Sequence, residues 1–345
     1  MRNSIKSGVA CEIDIVIPWV DDSDPEWLKS RNSYRAQIMQ NRSQEKNEDS
    51  RYRDWGILKY VFRSIEKYAP WVRRVHFVTC GQKPEWLNTE HPKLHVVNHE
   101  DYIPAEYLPT FSANPIELNF HRIEGLSEHF VYFNDDMFLT APTVSSDFFV
   151  NGLPCDSAIV TPQIASIPGH PFIHYLINDL AVINGHFDLR KAVLMKPGKW
   201  FHPVYGKYLI RNFLFSLMWG KACGFYNFHM PTAMLKSTFE QVWNLEPRIL
   251  EDTCRNRFRG LNDVNQYVMS YTNFCQNRFV PRSPKYGHYF TIGENREELF
   301  GAITNRNYKY ICVNDSEKKI DFEYEKDLLI EAFEKAFPEK SRFEI

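Results

Sequence analysis

Asp135 and Asp136 follow Asn134 and directly end the apolar run at residues 130–133. Paired carboxylates at the end of a buried strand offer hard oxygen ligands for Mg2+ or Mn2+, and a cation held there offsets the charge of a diphosphate. A solvated acidic turn has the same local sequence, so it is the position after an apolar strand that gives the pair its interest. A second cluster, Asp21-Asp22-Ser23-Asp24, follows the run at residues 12–20. Asp24 precedes Pro25 and suits a helix N-cap with proline at the first helical position. Asp21 and Asp22 then stand nearer the strand end. Asn314-Asp315 closes a third short run at residues 310–313, and by itself this dipeptide is also a common turn.

Two further residues have types that fit acid–base and phosphate chemistry. His229, in Phe228-His229-Met230-Pro231, could act as general base on an acceptor hydroxyl, because an imidazole titrates near neutral pH. It is one of 12 histidines, most of which are structural or surface groups in any chain. Arg259 ends the basic stretch Arg255-Asn256-Arg257-Phe258-Arg259, where a guanidinium fork would suit a phosphate and where a solvated helix end would look the same. The chain has no GxxxxGK[ST], no GxGxxG after a strand, no GxSxG and no HExxH. Nucleotide binding of the P-loop or dinucleotide type is therefore not expected.

Such residues need a scaffold that brings strand ends together. Residues 12–20 (EIDIVIPWV), 75–79, 94–97, 130–133 and 310–313 read as strands. Residues 25–39, 52–68 and 114–125 read as helices, with residues 40–50 a polar loop. Strands alternating with helices over residues 12–140 argue for an α/β unit with a mostly parallel sheet, in which ligands sit beyond the carboxyl ends of the strands. From residue 150 to 280 the aromatics are dense and prolines punctuate loops, with helices expected at 205–218, 236–254 and 262–276. The expected organisation is an α/β nucleotide-sugar-binding core at 10–150, a helix-rich insertion or acceptor region at 151–280, and a segment at 281–345 that completes the core, ending in an amphipathic helix at 321–337.

Composition narrows the partners. The 345 residues are 43% hydrophobic with a formal net charge of −2, so no overall field favours nucleic acid, and no basic stripe does either. No run of 18 apolar residues occurs, and residues 1–9 are polar and lack the apolar stretch of an export signal. The seven cysteines are scattered and odd in number, with no CxxC pair, as expected of reduced thiols in a cytoplasmic protein.

Taken together, the motifs resemble the Stealth family, which includes bacterial capsular polysaccharide phosphotransferases and the catalytic subunit of the animal lysosomal-enzyme N-acetylglucosamine-1-phosphotransferase. The first block is IDIVIPWVDDSDP from Ile13, similar to the family's WVDGSDP, with Asp22 where Gly or Asn is more usual. The second and most specific runs from Arg51 (RYRDWGILKYVFRSIEKYAPWVRRVHFVTCGQKPEWLN) and continues from Leu108 (LPTFSANPIELNFHRIEGLSEHFVYFNDDMFL). The third is His229-Met230-Pro231 with Phe258-Arg259 and Asn262-Asp263-Val264-Asn265-Gln266. The fourth is Cys312-Val313-Asn314-Asp315 with the terminal stretch from Phe333 to Glu344.

The resemblance implies a GT-A-like, Rossmann-like core and a hexose-1-phosphate transferase. Its donor would be a UDP-sugar, its acceptor a polysaccharide or lipid-linked glycan, and its products a phosphodiester and UMP. It implies catalytic roles for Asp136, His229 and Arg259, and substrate contacts from Asp21, Asp22, Arg63, Asn134, Asn262 and Asn314. Asp135, Asp136 and Asp315 would hold Mg2+ or Mn2+. The expected setting is cytoplasmic, with peripheral association at membrane-bound capsule machinery. Two other readings fit the residues alone: a metal-dependent glycosyltransferase that releases UDP, and a glycan-binding protein without catalysis.

Overall fold

The computed structural model describes residues 11–39, 54–165, 171–316 and 320–345. The β-branched run near the N-terminus forms β1 (Ile13–Pro18), followed by α1 (Pro25–Met39) and α2 (Leu58–Tyr68). Next come β2 (Val75–Thr79), β3 (Leu94–Asn98) and two short helices, α3 (His99–Tyr102) and α4 (Ala113–Leu118). β4 (His129–Tyr132) and β5 (Met137–Leu139) flank the acidic turn, and β6 (Phe149–Val150) pairs with β7 (Leu153–Asp156). Then follow α5 (Pro171–His186), α6 (Leu189–Met195), α7 (Pro197–Trp200) and α8 (Leu209–Leu217). β8 (Thr232–Leu235) leads into α9 (Lys236–Leu245), α10 (Pro247–Arg255) and α11 (Tyr267–Cys275). β9 (Val280–Pro281), β10 (Gly287–Thr291), α12 (Arg296–Asn305), β11 (Tyr310–Asn314) and α13 (Phe322–Ala336) complete the order.

The main sheet runs β3-β2-β1-β4-β8. Its first four strands are parallel, and β8 joins β4 antiparallel. This is an α/β fold with a mostly parallel sheet. A second sheet, β10-β11-β5, pairs β10 with β11 in parallel and β5 with β11 antiparallel.

Side chains alternate along β1. Ile13, Ile15 and Ile17 join Val61 and Ile65 of α2 and Leu329 and Phe333 of α13 in one core. Val16 joins Phe130 of β4 and Phe239, Leu250 and Val268 of α9, α10 and α11 in a second core. Each such side chain, fully buried, contributes about 1.5–3 kcal/mol. The sheet is thus covered on both faces, which leaves the strand ends as the natural place for a ligand.

Several expected helices are cut short. α4 stops at Leu118, and a tighter turn at Phe120–Arg122 follows. Asn119 explains the break, because its side-chain Nδ2 donates to the Pro115 carbonyl at 2.8 Å, the acceptor that a continuing helix would use. The helix expected at 236–254 divides at Glu246, since Pro247 disfavours a helical residue before it. The one expected at 205–218 breaks at Gly206, whose φ of 54° no helix contains. The helix expected from residue 52 begins at Leu58, and residues 51–53 and the expected loop at 40–50 lie outside the described residues. No described helix is long and apolar enough to cross a membrane.

Candidate active site

Two antiparallel pairings carry the chemistry to one place. β5 leaves the acidic turn and runs back along β11 with Met137 opposite Cys312. Asp136 is therefore set beside Val313, whose N–H donates to the Asp136 carbonyl at 2.9 Å, and Asn314-Asp315 follows directly. β8 pairs with β4 so that Thr232 lies opposite Tyr132. The residues just before β8 then reach the turn just after β4, which puts His229 Nε2 3.3 Å from Asn134 Nδ2 and 3.9 Å from Asp136 Oδ2. His229 holds a left-handed φ of 45°, a conformation that non-glycine residues rarely adopt and that often marks a functional site.

These residues line a cleft of about 1020 Å3 at the carboxyl ends of β1, β4 and β11. Arg259 reaches its wall from the loop after α10. That loop is fixed by Phe258 stacking on Phe111 at 5.2 Å and by the buried Asp263 carboxylate, which accepts from the Gly260 N–H at 2.8 Å and Asn256 Nδ2 at 2.6 Å. Among the described residues the Arg259 guanidinium has no hydrogen-bond or ion-pair partner, so its donors are available to a ligand.

The electrostatics are those of a crowded acidic floor. Burial raises the pKa of Asp135, and the neighbouring Asp136 charge raises it further. For His229, burial favours the neutral ring, but the hydrogen bond and charge of Asp136, with Glu117 and Asp135 behind it, leave the pKa raised overall. The ring is thereby a stronger proton acceptor than an isolated imidazole.

Asp136, His229 and Cys312 offer ligand atoms within 4.8 Å of one another. The Cys312 thiol donates to Asp136 Oδ2 at 3.3 Å, and burial pushes its pKa well up, so it is a neutral thiol and a poor metal ligand. Asp136 Oδ1 is buried without a hydrogen-bond partner. An orphaned carboxylate oxygen beside further acidic oxygens fits a divalent cation of the hard, oxygen-seeking kind.

Of the residues singled out in the sequence, Asn134, Asp135, Asp136, His229, Arg259, Asn314 and Asp315 line the cleft. Arg63, expected on the substrate, is committed elsewhere: it is buried and makes paired bonds of 2.8 Å to Glu344 and one of 2.7 Å to the Phe337 carbonyl. Its helix, α2, turns that side toward the C-terminal segment. Asp21 lies off the cleft wall and caps its own turn, accepting from the Ser23 N–H at 2.9 Å. Asp22 is also off the wall, and its pKa is raised by burial and by the charges of Asp21 and Asp54, the latter a cleft residue. Asn262 is exposed on a turn, while Asn265, Gln266 and Tyr267 beyond it face the cleft.

Sequence reasoning missed Glu117. It sits on α4, is buried, lines the cleft and accepts the Tyr132 hydroxyl at 2.5 Å. Burial pushes its carboxyl up to about 7, against the pull of that hydrogen bond and of the charges of Arg259 and His229. A carboxyl titrating near neutrality within the field of a histidine and an arginine is a candidate proton acceptor. The available signal was a lone acid between Ile116 and Leu118 in an expected helix.

Open strand ends that converge on carboxylates mark this fold as an enzyme's. Residues 12–39 match the model of conserved region 1 of the Stealth proteins, and residues 51–155 match that of conserved region 2. The chain is 40% identical over 333 residues to capsular polysaccharide phosphotransferase WcwK of Streptococcus pneumoniae, covering 96% of this chain and 98% of that one. It is 37% identical over 338 residues to receptor polysaccharide phosphotransferase WefC of Streptococcus oralis (97% and 99%). It is 38% identical over 335 residues to exopolysaccharide phosphotransferase cps2G of Lactiplantibacillus plantarum (96% and 96%). Among solved structures, galactosyltransferase LgtC aligns with a TM-score of 0.40 at 11% identity, covering 92% of this chain and 95% of that one. The chain belongs to the Stealth family, and it is a transferase.

Proposed function

We infer that the protein transfers a sugar-1-phosphate from a UDP-sugar to a hydroxyl of a capsular or cell-surface polysaccharide, or of its lipid-linked precursor. The observation that supports this best is the meeting of Asp136, His229 and Arg259, from three separate segments, on one cleft. The whole-length likeness to phosphotransferases agrees with it. The acceptor oxygen attacks the β-phosphorus of the donor, the bond from that phosphorus to the UMP oxygen breaks, and UMP leaves with the electron pair. His229 takes the hydroxyl proton, with Glu117 as the second group able to hold it. Arg259 faces the charge that grows on the transferred phosphoryl group. Asp136, with Asp135 or Asp315, would hold Mg2+ or Mn2+, whose charge offsets that of the diphosphate. Asn134 and Asn314 orient the substrate. Such a reaction depends on positioning and electrostatics more than on covalent help from the protein. We assign the acceptor side to residues 151–280 and place the enzyme in the cytoplasm, at the inner face of the bacterial membrane.

The test is to incubate the enzyme with UDP-sugars and an acceptor oligosaccharide, separate UMP from UDP, and look for a phosphodiester by phosphorus NMR. UMP with a new phosphodiester is expected. UDP as the sole nucleotide product would mean transfer of the sugar alone.

A further inference from the structure

The fully buried side chains of α8 are polar. Its buried side carries Asn212 and Ser216, one helical turn apart. Asn212 Oδ1 accepts the Val160 N–H at 2.7 Å, and its Nδ2 donates to the carbonyls of Ala158 at 2.9 Å and Trp200 at 2.7 Å. Polar bonds therefore anchor the helix; Phe215 and Leu217 pack toward the core, and its other large apolar residues from Ile210 onward are exposed. Ile210, Phe213, Leu214 and Met218 form one stripe at helical spacing, from 45% (Leu214) to 67% (Ile210) exposed, and Trp219, just beyond the helix, is exposed as well. α6 packs beside α8 and adds exposed Leu194 and Met195. Exposed apolar side chains gathered on neighbouring helices in this way mark a contact surface.

Charge identifies the partner. Between Leu189 and Lys221 the chain has seven Lys or Arg and no Asp or Glu, in a molecule whose net charge is −2. Arg190, Lys191, Lys196, Lys207, Arg211 and Lys221 are exposed in the same stretch. The carboxylate just before this stretch, Asp188, is used as the N-cap of α6, accepting from the Lys191 N–H at 2.8 Å. Two copies meeting through this face would oppose cation to cation, which disfavours a self-dimer. An exposed apolar stripe with a tryptophan nearby, in a stretch whose charged side chains are all cationic, is the pattern of a helix lying in the surface of an anionic bilayer.

We propose that the α6–α8 face docks on an anionic lipid surface. The docking is independent of the reaction. Its consequence for catalysis rests on the function proposed above. Tyr208, directly before α8, and Tyr226, 5.9 Å away between ring centroids, both line the cleft. The docked face therefore borders the cleft mouth, and a lipid-linked glycan acceptor would enter from the membrane side.

The test is flotation of the full chain with phosphatidylcholine vesicles, with and without phosphatidylglycerol. Binding is expected only with the anionic lipid, weakening with added salt. Ile210→Ser/Phe213→Ser/Met218→Ser, and separately Lys207→Glu/Arg211→Glu, should each bind about tenfold more weakly or worse. Both should melt like the wild type and turn over a soluble acceptor at its rate. Three results would overturn the docking: no flotation of the wild type, unchanged flotation of the variants, or a sedimenting dimer that the apolar substitutions dissolve. A protein that floats but releases no UMP would overturn only the proposed reaction.

Discussion

His229 and Glu117 both line the cleft, and in the proposed reaction they are the two groups that take up the acceptor's proton. They differ in what burial does to them. His229→Ala and Arg259→Ala should each lower turnover about a hundredfold or more with melting unchanged, and near-wild-type rates would remove both from the mechanism. Glu117 gives a signature in stability as well. Its folded pKa of about 7 lies above the ordinary value of 4.5. Below pH 4.5 both states hold the proton and nothing is lost. As pH rises from 4.5 to about 7 the unfolded chain releases it and the folded one does not, so stability falls across that window. Glu117→Gln should therefore be more stable than the wild type at pH 8, by about 1–3 kcal/mol, and no more stable at pH 4, while losing activity. Urea unfolding at the two pH values, beside a rate assay, reads both effects.

At the scale of elements, the site depends on contacts behind it. Gly287 on β10 stands so close to the neighbouring chain that a Cβ there would lie 2.6 Å from the Tyr310 ring and 2.7 Å from Met230 Sδ. Met230 adjoins His229, so Gly287→Ala should cost about 1–3 kcal/mol and also slow turnover by moving the His229 segment. A calorimetric scan and a rate measurement separate the two losses. β1 carries a different support. Asp14 is fully buried and bonded to Arg73 Nε at 2.8 Å, His76 Nε2 at 3.1 Å and the Ser127 N–H at 2.8 Å. Burial alone would raise its pKa, and these partners reverse that to about 2. Its contribution is complete above the ordinary value of 3.8 and is lost as pH falls toward about 2. Asp14→Asn should remove about 2 kcal/mol at pH 6 and much less near pH 2, as measured by denaturant unfolding at each pH.

The whole molecule is closed by its C-terminal end. Phe343 packs on Phe62 at 5.4 Å, and Glu344 satisfies Arg63 beneath it. Deleting residues 341–345 would leave that guanidinium buried with only Glu334 and a backbone carbonyl. The expected loss is about 3–5 kcal/mol, and deleting the exposed Ile345 alone should retain most of the stability. Thermal melting of the two truncations checks this. Because Arg63 faces α13 and not the cleft, Arg63→Ala should lower the melting temperature while leaving the Michaelis constant of folded enzyme unchanged.

Local pattern was enough for much of the scaffold. The apolar runs at β1, β2, β3, β4 and β11 are legible because each is bounded by turn residues, and α1 and α13 because each has a clear cap and an amphipathic or proline signal. The same pattern singled out Asp136 and Asn314-Asp315, since strand ends are visible in one dimension. β5 and β8 were not legible, as they are short and gain their identity only from the strands they pair with. Those two antiparallel pairings decide that His229, more than ninety residues from Asn134 in sequence, stands 3.3 Å from it. Glu117 was hidden for a related reason. A lone acid in a helix says nothing about its burial, and only the packing of α4 against β4 turns it into a group that titrates near neutrality. Sequence therefore determined which residues had suitable chemistry and which strands ended in them. Tertiary structure decided which of them share a cleft, because distance and desolvation are properties of the packed chain and not of its order.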